Sequence, residues 1–572
     1  MPGAAIALVD RDGPLWVGGV GVRDRLTQAP MDADTVFRVG SLSKSVVALG
    51  VMRLVDQGKL DLDRPLREIL PDAGIDNPWE AVAPVTLAQC MEHTAGLDDV
   101  RFNEVFTEDE GLSVHATLAM NPRSRVVRWQ PGTRHAYSNV GYTLAGRAIE
   151  VASGEPFDVY LRREILQPLG IRDADFRRTG VLARRLATGY EGGERAMGFT
   201  PFAHRPSASL LLSASDLAKL VQFWIRRGDG YPPIVSRAGL ARIERTGTLP
   251  YAALATQYGF ANYGDVAHPA FARGHNGGMP GFHSAFRYFP ELGVGYVMLL
   301  NSGYLRGGYF KLRSLLFAYL TRGRTFATPP TPPTPPAAER PGADYFAFAS
   351  PSNALFAFVD RTRIGWHAID SGDGVRLDAL DGESFDLVPA DDGGYRHPSE
   401  CGSSVRFTTN RDGVPVLVTS YMYAEPDSLW LARARYVALR IAVFLVAVIP
   451  VLAALVLLVE AVTRRRLLPP GLVAWPTIAS LSCAAFVPVL VTAFAHGVVG
   501  VVHPLTIALC ALTTVFPVAS FASLICAVRW SLRPDRPPCL VRLFPSACAV
   551  ALAGLAAWYT ANGLIGFRTW AW

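Results

Sequence analysis

The 572-residue chain uses very little lysine. Four of its 55 basic residues are lysines, and the other 51 are arginines. An arginine stays protonated in proteins, whereas a lysine removed from water can lose its proton near neutral pH. Lys44 is the most informative of the four, because it follows Ser41 by three residues at the start of an apolar run. It is therefore a candidate proton acceptor for a serine nucleophile.

Cysteine and histidine are also used sparingly, which excludes several kinds of site. Five of the seven cysteines lie in or beside apolar stretches after residue 430, and Cys90 and Cys401 alone do not make a disulfide framework. The histidines are scattered, with no HExxH motif and no paired spacing typical of zinc sites. Glycine-rich nucleotide loops are absent as well. We therefore predict no metal ion and no cofactor.

The segment around Ser41 and Lys44 has the pattern of a helix start. Apolar positions from Ser43 to Gly58 predict an amphipathic or buried helix, which places Ser41 at its N-terminus and both side chains on one face. The free N–H groups and the dipole at a helix N-terminus favour developing negative charge. The alternative is a serine cap followed by a solvated lysine, because SxxK is a short motif that recurs by chance.

Two further clusters lie downstream. The first is Tyr137-Ser138-Asn139, after the turn Gln130-Pro131-Gly132-Thr133 and before a helical stretch that ends near Gly154. The second is His275-Asn276-Gly277-Gly278. Taken singly, Asn139 is most simply a helix N-cap, Tyr137 a half-buried aromatic residue and His275 an ordinary loop histidine.

Taken together, the three clusters resemble the SxxK, YxN and HxG motifs of the serine beta-lactamase and penicillin-binding-protein superfamily. The class C-like branch, peptidase S12-type hydrolases that include D-aminopeptidases, carboxypeptidases and esterases, is the most similar. Supporting segments extend the resemblance over residues 2 to 322, and they are Gly58-Lys59-Leu60-Asp61-Leu62-Asp63, His93-Thr94-Ala95-Gly96-Leu97, Ser213-Ala214-Ser215-Asp216-Leu217 and Pro280-Gly281-Phe282.

The resemblance implies a catalytic role for each motif. Ser41 would attack a carbonyl carbon and form an acyl-enzyme, while Lys44 takes its proton. Tyr137 would be the second general base, and which of the two is the primary base stays open. Asn139 would hydrogen-bond Lys44 and the amide of the substrate.

The third motif would form the substrate-binding and oxyanion side of the site. Backbone N–H groups of Ser41 and Gly278 would bind the oxyanion, and glycine at 278 would let the substrate approach closely. Gly277 belongs to the same substrate-binding motif. Many penicillin-recognising relatives have lysine where this chain has His275. A histidine is charged in part near neutral pH, so we expect weaker or pH-dependent carboxylate binding and modest or no beta-lactam hydrolysis.

The pattern of strands and helices predicts a mixed α+β domain over residues 1–322. The resemblance implies a beta-lactamase-like antiparallel sheet flanked by helices with a helical subdomain. In that arrangement the N- and C-terminal strands would share one sheet, and Ser41 would lie at the junction between this sheet and the helical part. Two strand pairs are expected near its ends and helices between them. The strands are Ala4 to Val9, Leu15 to Val22, Phe282 to Phe289 and Gly293 to Leu300, and the helices include Val159 to Leu166 and Ala214 to Ile225. Because the first strand begins almost at Met1, we expect a truncated N-terminus with an upstream start and export signal.

A proline-rich linker is predicted over residues 323–341, with the repeat Thr328-Pro329-Pro330-Thr331 at its centre. Residues 342–430 then alternate in short runs at Ala354 to Val359, Ile364 to Ile369 and Val405 to Thr409. These runs predict a small antiparallel β domain, barrel-like in form and without a catalytic constellation. The resemblance suggests an accessory role, such as shaping the substrate path.

Residues 431–572 are predicted to be a transmembrane region. Its four apolar stretches cover about 437–459, 472–495, 505–528 and 546–566. This region carries eleven arginines against Glu460 and Asp535, a balance of +9, which leaves −3 for residues 1–430. Arginines fill the first and third connections, so the positive-inside rule places the catalytic and β domains outside the inner membrane, in the periplasm or cell exterior. We expect membrane association and no nucleic-acid binding.

The sequence thus predicts a membrane-anchored, extracytoplasmic serine hydrolase of amide or ester bonds, with D-amino-acid-containing or cell-wall peptides, including peptidoglycan-derived ones, as substrates. Two alternatives stay open: a peptidase that matures an exported nonribosomal prodrug, and a non-catalytic wall sensor that keeps the fold. The loops Asp98 to Pro122 and Tyr251 to Arg273 are expected to shape the pocket. The oligomeric state and the chirality of the substrate stay open.

Overall fold

The strands at the two ends of the N-terminal domain lie side by side. The computed structural model describes residues 2–251, 254, 256–303, 306–327, 329–332, 345–353, 357–533 and 539–571. It contains two compact units, Met1–Leu429 and Trp430–Trp572. The first unit holds the hydrolase-like domain and the small β domain, and the second holds long apolar helices.

Eleven strands belong to the N-terminal domain: β1 Gly3–Asp10, β2 Pro14–Asp24, β3 Ala29–Pro30, β4 Val36–Arg38, β5 Gly189–Glu191, β6 Arg195–Met197, β7 Leu211–Ser213, β8 Tyr263–Asp265, β9 Ala272–Met279, β10 Phe282–Phe289 and β11 Val294–Leu300. Seven of them form one antiparallel sheet in the order β3-β2-β1-β11-β10-β9-β8. β1 pairs with β11 along its length, from Ala4 opposite Leu300 to Asp10 opposite Val294. The expected joining of N- and C-terminal strands in one sheet is confirmed.

Twelve helices complete this domain: α1 Ser43–Asp56, α2 Leu66–Ile69, α3 Leu87–Met91, α4 Phe102–Val105, α5 Val114–Ala119, α6 Asn139–Ser153, α7 Phe157–Leu161, α8 Gly180–Arg185, α9 Arg205–Ala208, α10 Ala214–Arg226, α11 Arg237–Ile243 and α12 Arg306–Leu320. Where one helix was predicted over 159–166, α7 continues into a π-helical turn at Arg162–Leu166.

Both faces of the sheet are covered by helices. Alternate residues of β1 point to opposite faces, as the pleat of a strand requires. Ala5, Ala7 and Val9 join the main core, which includes α10, whereas Ala4, Ile6 and Leu8 pack with side chains of α12. The apolar run of β1 in the sequence is therefore explained by burial on both faces.

Helix α1 is the central helix of the domain. Nearly all of its residues are buried, and it packs against α6, α9 and α11. The turn that precedes it contacts β9 and β10 of the sheet. The N-terminus of α1 therefore lies at the junction between the sheet and the helical part of the domain, as the resemblance implied.

The second domain of this unit is a closed antiparallel barrel of eight strands. The strands are β12 Tyr345–Phe348, β13 Gly365–Asp370, β14 Val375–Ala379, β15 Ser384–Pro389, β16 Tyr395–Arg396, β17 Val405–Thr409, β18 Pro415–Thr419 and β19 Tyr423–Pro426. β12 pairs with β19 and closes the barrel. The predicted barrel-like fold is confirmed, with one correction: residues 357–359 of the strand predicted over 354–359 instead belong to helix α13 Ala357–Arg363. Residues 354–356 lie outside the described residues.

Of the predicted proline-rich linker over 323–341, residues 328 and 333–341 lie outside the described residues. The described part has no helix or strand after α12. The barrel contacts the hydrolase-like domain directly. Arg128 donates to the carbonyl oxygens of Pro351 and Ser352 at 2.5 and 2.7 Å, and Arg134 pairs with Glu425 at 2.9 Å.

In the described part of the second unit, four helices are long and apolar enough to cross a membrane. They are α14 Leu429–Thr463, α15 Pro470–Ala495, α16 Pro504–Ser531 and α17 Cys539–Ala561. The first three contain the predicted stretches. The fourth differs, because α17 begins seven residues before position 546 and ends five residues before 566. Gly563 and Gly566 adopt left-handed φ angles of +68° and +59°, which a continuing helix would not allow.

Candidate active site

Ser41 lies in a turn of 3-10 helix, Gly40–Leu42, directly before α1. Gly40 has a φ of +58°, a left-handed conformation that glycine adopts without strain. A Cβ on Gly40 would come within 2.7 Å of the backbone nitrogen and oxygen of Gly278 on β9. Glycine is therefore required here for two reasons, the left-handed φ and the close approach of β9. The turn brings Ser41 next to β9.

Lys44 follows one turn later and is fully buried. Its Nζ donates to Ser41 Oγ at 3.1 Å, to Asn139 Oδ1 at 2.8 Å and to the carbonyl oxygen of Ser207 at 2.9 Å. All three acceptors are neutral groups. Burial lowers the pKa of Lys44 to about 7, although the charge of Asp99 opposes this shift. The amine can therefore take up a proton near neutral pH.

Tyr137 contacts the same serine from the other side. Its hydroxyl donates to Ser41 Oγ at 3.0 Å, and Lys44 Nζ lies 5.0 Å from the centre of its ring. Burial raises the pKa of Tyr137, so its phenol holds its proton at neutral pH. Ser41 is thus contacted by one amine that titrates near neutrality and one phenol that stays protonated.

His93 holds the segment that carries Tyr137. Its ring lies 4.1 Å from the ring of Tyr137, and its Nδ1 accepts from the backbone N–H of Ser138 at 3.1 Å. Burial lowers the pKa of His93 well below its ordinary value, which keeps Nδ1 free to accept. The histidine of the segment His93-Thr94-Ala95-Gly96-Leu97 therefore has a positioning role.

Asn139 is the first residue of α6, and its carboxamide connects two charged groups. Oδ1 accepts from Lys44, as described above. Nδ2 donates to both carboxylate oxygens of Asp99 at 3.2 Å, and the backbone N–H of Asn139 donates to Asp99 Oδ1 at 2.7 Å. The Asn139 side chain therefore does not cap α6. The carboxylate of Asp99 instead accepts a hydrogen bond from the backbone N–H at the N-terminus of this helix.

His275 lies on β9 and is buried, with 3% of its surface exposed. The Tyr258 hydroxyl lies 2.6 Å from Nε2, and Nδ1 lies 2.5 Å from the carbonyl oxygen of Asn276. Burial, and then the charge of Lys44, lower the pKa of His275 to about 3. The expectation of a partly charged histidine is therefore wrong, because burial and the charge of Lys44 outweigh the hydrogen bond to the Asn276 carbonyl oxygen, which alone would raise the pKa.

The two glycines of the third motif differ in surroundings. Gly277 is buried, and a Cβ there would overlap the carbonyl oxygen of Val39, just before the Ser41 turn. Gly278 is exposed and has open space where its Cβ would point. Gly277 thus lets β9 approach the serine turn, and the open side of Gly278 is where a substrate can approach the backbone.

A cavity of about 670 Å³ adjoins Tyr137 and His275. The hydrolase-like domain and the barrel both line it. Tyr258, Tyr263 and Asp265, which line this cavity, come from the segment Tyr251 to Arg273 that was expected to shape the pocket. None of the described lining residues comes from the loop Asp98 to Pro122. Barrel side chains complete the wall, among them Glu400, Tyr421 and Met422.

The structure adds three residues that the motifs did not identify: Asp99, Ser207 and Tyr258. Asp99 stands two residues after the segment His93–Leu97, which is the one sequence signal that could have found it. Ser207 contributes its backbone carbonyl, for which side-chain patterns carry no signal. Among the described residues, no three His, Cys, Asp or Glu side chains come together in a way that could hold a metal ion.

A family model described as beta-lactamase matches residues 1–320, which is more than half of the chain. The chain belongs to the beta-lactamase family. The resemblance drawn from the three motifs is confirmed at this level. Members of this family and the related penicillin-binding proteins include serine hydrolases that act through an acyl-enzyme.

Two relatives and one solved structure illustrate the similarity. Penicillin-binding protein 4 of Amycolatopsis lactamdurans is 29% identical over 321 residues, which cover 53% of this chain and 81% of that protein. Esterase EstB of Burkholderia gladioli is 32% identical over 209 residues, 33% of this chain and 50% of that protein. Other relatives are matched over 61% of their length. The octameric penicillin-binding protein homologue from Pyrococcus abyssi covers 74% of this chain and 95% of its own, with 23% identity and a TM-score of 0.48.

Proposed function

We propose that this member of the beta-lactamase family is a membrane-anchored serine hydrolase that forms an acyl-enzyme at Ser41. The observation that carries the proposal is the pair of hydrogen bonds to Ser41 Oγ, from Lys44 and from Tyr137. The pKa of Lys44, lowered by burial to about 7, gives the serine a neighbouring amine that can accept its proton.

In the proposed acylation, Ser41 Oγ attacks the substrate carbonyl carbon while its proton passes to Lys44 Nζ. Tyr137 then gives its proton to the leaving nitrogen or oxygen and regains one from Lys44, whose Nζ lies 5.0 Å from the centre of the Tyr137 ring. The bond to the leaving group breaks and an ester to Ser41 forms, with no net change in protons on the enzyme. This order follows from the two pKa directions, since the amine titrates near neutrality and the phenol does not.

The oxyanion of the tetrahedral intermediate would be bound by the backbone N–H groups of Ser41 and Gly278. The open space at Gly278 and the tight approach at Gly40 support this assignment. Deacylation runs the acylation steps in reverse, with water in the place that the leaving group held. Asn139 would also donate to the amide of the substrate.

We infer amide or ester substrates, with D-amino-acid-containing or cell-wall peptides as the first class to test. The names of two relatives, a penicillin-binding protein and an esterase, support both bond types. A cavity of about 670 Å³ lies within the range of sites that hold small molecules, and its aromatic lining suits apolar side chains. The barrel would contribute to selectivity through Tyr421 and Met422, which line this cavity.

The membrane placement is also a proposal. Arg464, Arg465 and Arg466 fill the connection between the first two apolar helices, and Arg529 and Arg533 lie at the end of the third. The positive-inside rule would place these arginines in the cytoplasm and both ends of the bundle, with the catalytic domain, outside. A fluorophosphonate that does not cross membranes would then label Ser41 in intact cells. Labelling that requires lysis would contradict this topology.

The decisive experiment is intact-mass analysis of the full chain after incubation with a fluorescent penicillin or fluorophosphonate, beside Ser41→Ala. We expect one adduct that the variant lacks, followed by turnover in a screen of D-peptides and esters. The wild-type protein must be folded, with a melting temperature equal to that of Ser41→Ala. If it then gives no adduct with either probe and no turnover in that screen, the hydrolase is rejected and a non-catalytic wall sensor is favoured.

A further inference from the structure

The carboxamide of Asn139 could face Lys44 in two ways, and its function depends on which. A carboxamide has an oxygen and a nitrogen of nearly equal size, so a 180° rotation of the group changes its shape very little. With Oδ1 toward Lys44, the amine has an acceptor. With Nδ2 toward Lys44, two donors would face each other.

Asp99 decides between these orientations. Its two carboxylate oxygens accept from Asn139 Nδ2, and a carboxylate has no hydrogen to offer to an amide oxygen in their place. The carboxylate itself is held by the backbone N–H groups of Asn139 and Val100, at 2.7 and 2.8 Å from Oδ1. Since Asn139 begins α6, the position of Asp99 is tied to the helix.

We propose that Asp99 is a positioning residue of this site, whose carboxylate fixes the Asn139 carboxamide with its oxygen toward Lys44. The inference rests on the proposed acylation of Ser41, and it assigns a role that neither the motifs nor the family match gives to this residue. Asp99 touches neither Ser41 nor the region beside Gly278, so its effect passes through Asn139 to Lys44.

The charge of Asp99 gives this role a measurable signature. The titratable side chains near Lys44 are Tyr137 before α6, Tyr142 on α6, His93, and His275 on β9, with Asp99 behind Asn139. His204, directly before α9, acts on Asp99 and lies 3.7 Å from Glu104. Burial raises the pKa of both tyrosines and lowers the pKa of His93 and His275, so these groups are neutral near pH 7. Burial raises the pKa of Asp99, but the backbone N–H groups of Asn139 and Val100 and the charge of Lys44 oppose this shift. In its ionised form Asp99 supplies the negative charge that opposes the loss of the Lys44 proton.

The test compares Asp99→Asn with the exchanged pair Asp99→Asn/Asn139→Asp in the full chain in detergent. The readout is the rate of Ser41 acylation by a fluorophosphonate from pH 5 to 9. In Asp99→Asn the charge is lost and the carboxamide of Asn139 can turn. We expect acylation to slow about tenfold and the midpoint of the rise with pH to move down by about one unit.

The exchanged pair should behave in the opposite way. An amide at position 99 can donate to a carboxylate at position 139, so the pairing survives, but the charge now lies next to Lys44. We expect the midpoint to move up by about one unit relative to the wild type, because a closer negative charge favours the protonated amine. Opposite shifts from two variants of the same pair could not arise from loss of stability.

A purely structural role for Asp99 predicts a different result. If Asp99 does no more than cap α6, both variants would lower the melting temperature and the rate equally at every pH, and the midpoint would stay at its wild-type value. Ser113→Ala is the matched control, because Ser113 caps α5 through the backbone N–H of Ala116 and lies outside the site. It should lower stability without moving the midpoint.

A second readout separates this inference from the proposed function. The chain has four lysines, so ¹³Cε-lysine NMR, with Lys44→Met to assign the signal, can follow the titration of Lys44 without any reaction. If the wild-type protein is never acylated, the proposed function fails. The Lys44 titration would still move down in Asp99→Asn if Asp99 has this role, and an unmoved titration would overturn it.

Discussion

Two buried cations in the same domain have opposite kinds of hydrogen-bond partner. Lys44 at the start of α1 has three neutral acceptors, whereas Arg287 on β10 donates to Asp265 at 2.9 Å. Asp265 also pairs with Arg313 at 3.2 Å. Both cations are almost completely shielded from water. The comparison shows that the partners of a buried cation, together with its intrinsic basicity, decide how far burial lowers its pKa.

The pKa values differ accordingly. Burial lowers the pKa of Lys44 to about 7, since no carboxylate touches its amine among the described residues. Burial also acts to lower the pKa of Arg287, but its neighbours Tyr263 and Asp265 hold it well above the ordinary value. Asp265, Arg287 and Arg313 line the cavity that also adjoins Tyr137. The cavity thus has fixed charges in its wall, and Tyr137 connects it to Ser41, which Lys44 contacts from the other side.

The largest expected effect comes from replacing the cation that titrates. In Lys44→Met the amine is lost, and in Lys44→Arg it becomes a group that stays protonated, so neither variant can accept the proton of Ser41. We expect the rate of Ser41 acylation to fall about 10²–10⁴-fold in both. Acylation kinetics with a fluorophosphonate measure the loss, with circular dichroism as the control for folding. A Lys44→Arg enzyme of near wild-type rate would show that a charged group at this position is enough.

The next largest effect is expected on the other side of the comparison. In Asp265→Asn the charges of Arg287 and Arg313 lose their partner inside the domain. We expect the free energy of unfolding to fall by about 3–5 kcal/mol, as when one member of a buried ion pair is removed. Chemical denaturation measures it. Asp378→Asn, which removes the exposed pair Arg376–Asp378, is the matched control and should change little.

The pH dependence of the Asp265 contribution has a definite sign. Burial acts to raise the pKa of Asp265, but Arg287 and Arg313 lower it to about 2, below the unfolded value of about 3.9. A lowered pKa means that this stabilisation is complete above the unfolded value and is lost as the pH falls toward 2. The difference in unfolding free energy between wild type and Asp265→Asn should therefore shrink between pH 4 and 2. A difference that stays constant over that range would contradict the assignment of the pair.

A smaller effect is expected when the wild-type enzyme is titrated. Because the neutral form of Lys44 accepts the proton, the rate of acylation should rise about tenfold per pH unit below pH 7 and level off above it. The pKa of about 7 places the midpoint there. A fluorophosphonate has no group that titrates in this range, so it is the suitable probe. A midpoint near 10 would mean that Lys44 keeps its ordinary pKa and that burial does not govern it.

The sequence predicted the parts of this site that depend on local patterns. Ser41, Lys44, Tyr137, Asn139 and the third motif stand in short segments next to strands and helices with clear periodicity, so their neighbourhoods could be placed in advance. The two strand pairs and α1 were found for the same reason. The pairing of β1 with β11 was predicted from the resemblance, because nothing local in residues 3–10 indicates a partner strand near residue 300.

What the sequence could not predict depends on tertiary contacts. The neutral state of His275 follows from its burial and from the nearby charge of Lys44, neither of which is visible in the motif. The contact of Asp99 with Asn139 joins residues 40 positions apart. Helix α13 takes the place of the strand predicted for residues 357–359. A short alternation of apolar residues fits a strand or a helix, and packing against neighbouring residues decides between them.

His275 extends the comparison to a third basic group and gives the smallest expected effect. Since burial lowers its pKa to about 3, it stays neutral across the physiological range and cannot attract a carboxylate by charge. The penicillin concentration for half-maximal acylation, measured apart from the limiting rate, should change less than about twofold between pH 5.5 and 8. We also expect slow or no nitrocefin turnover. Tighter penicillin binding toward pH 5.5, lost in His275→Gln, would mean that His275 takes up a proton in the complex and behaves like the lysine of other relatives.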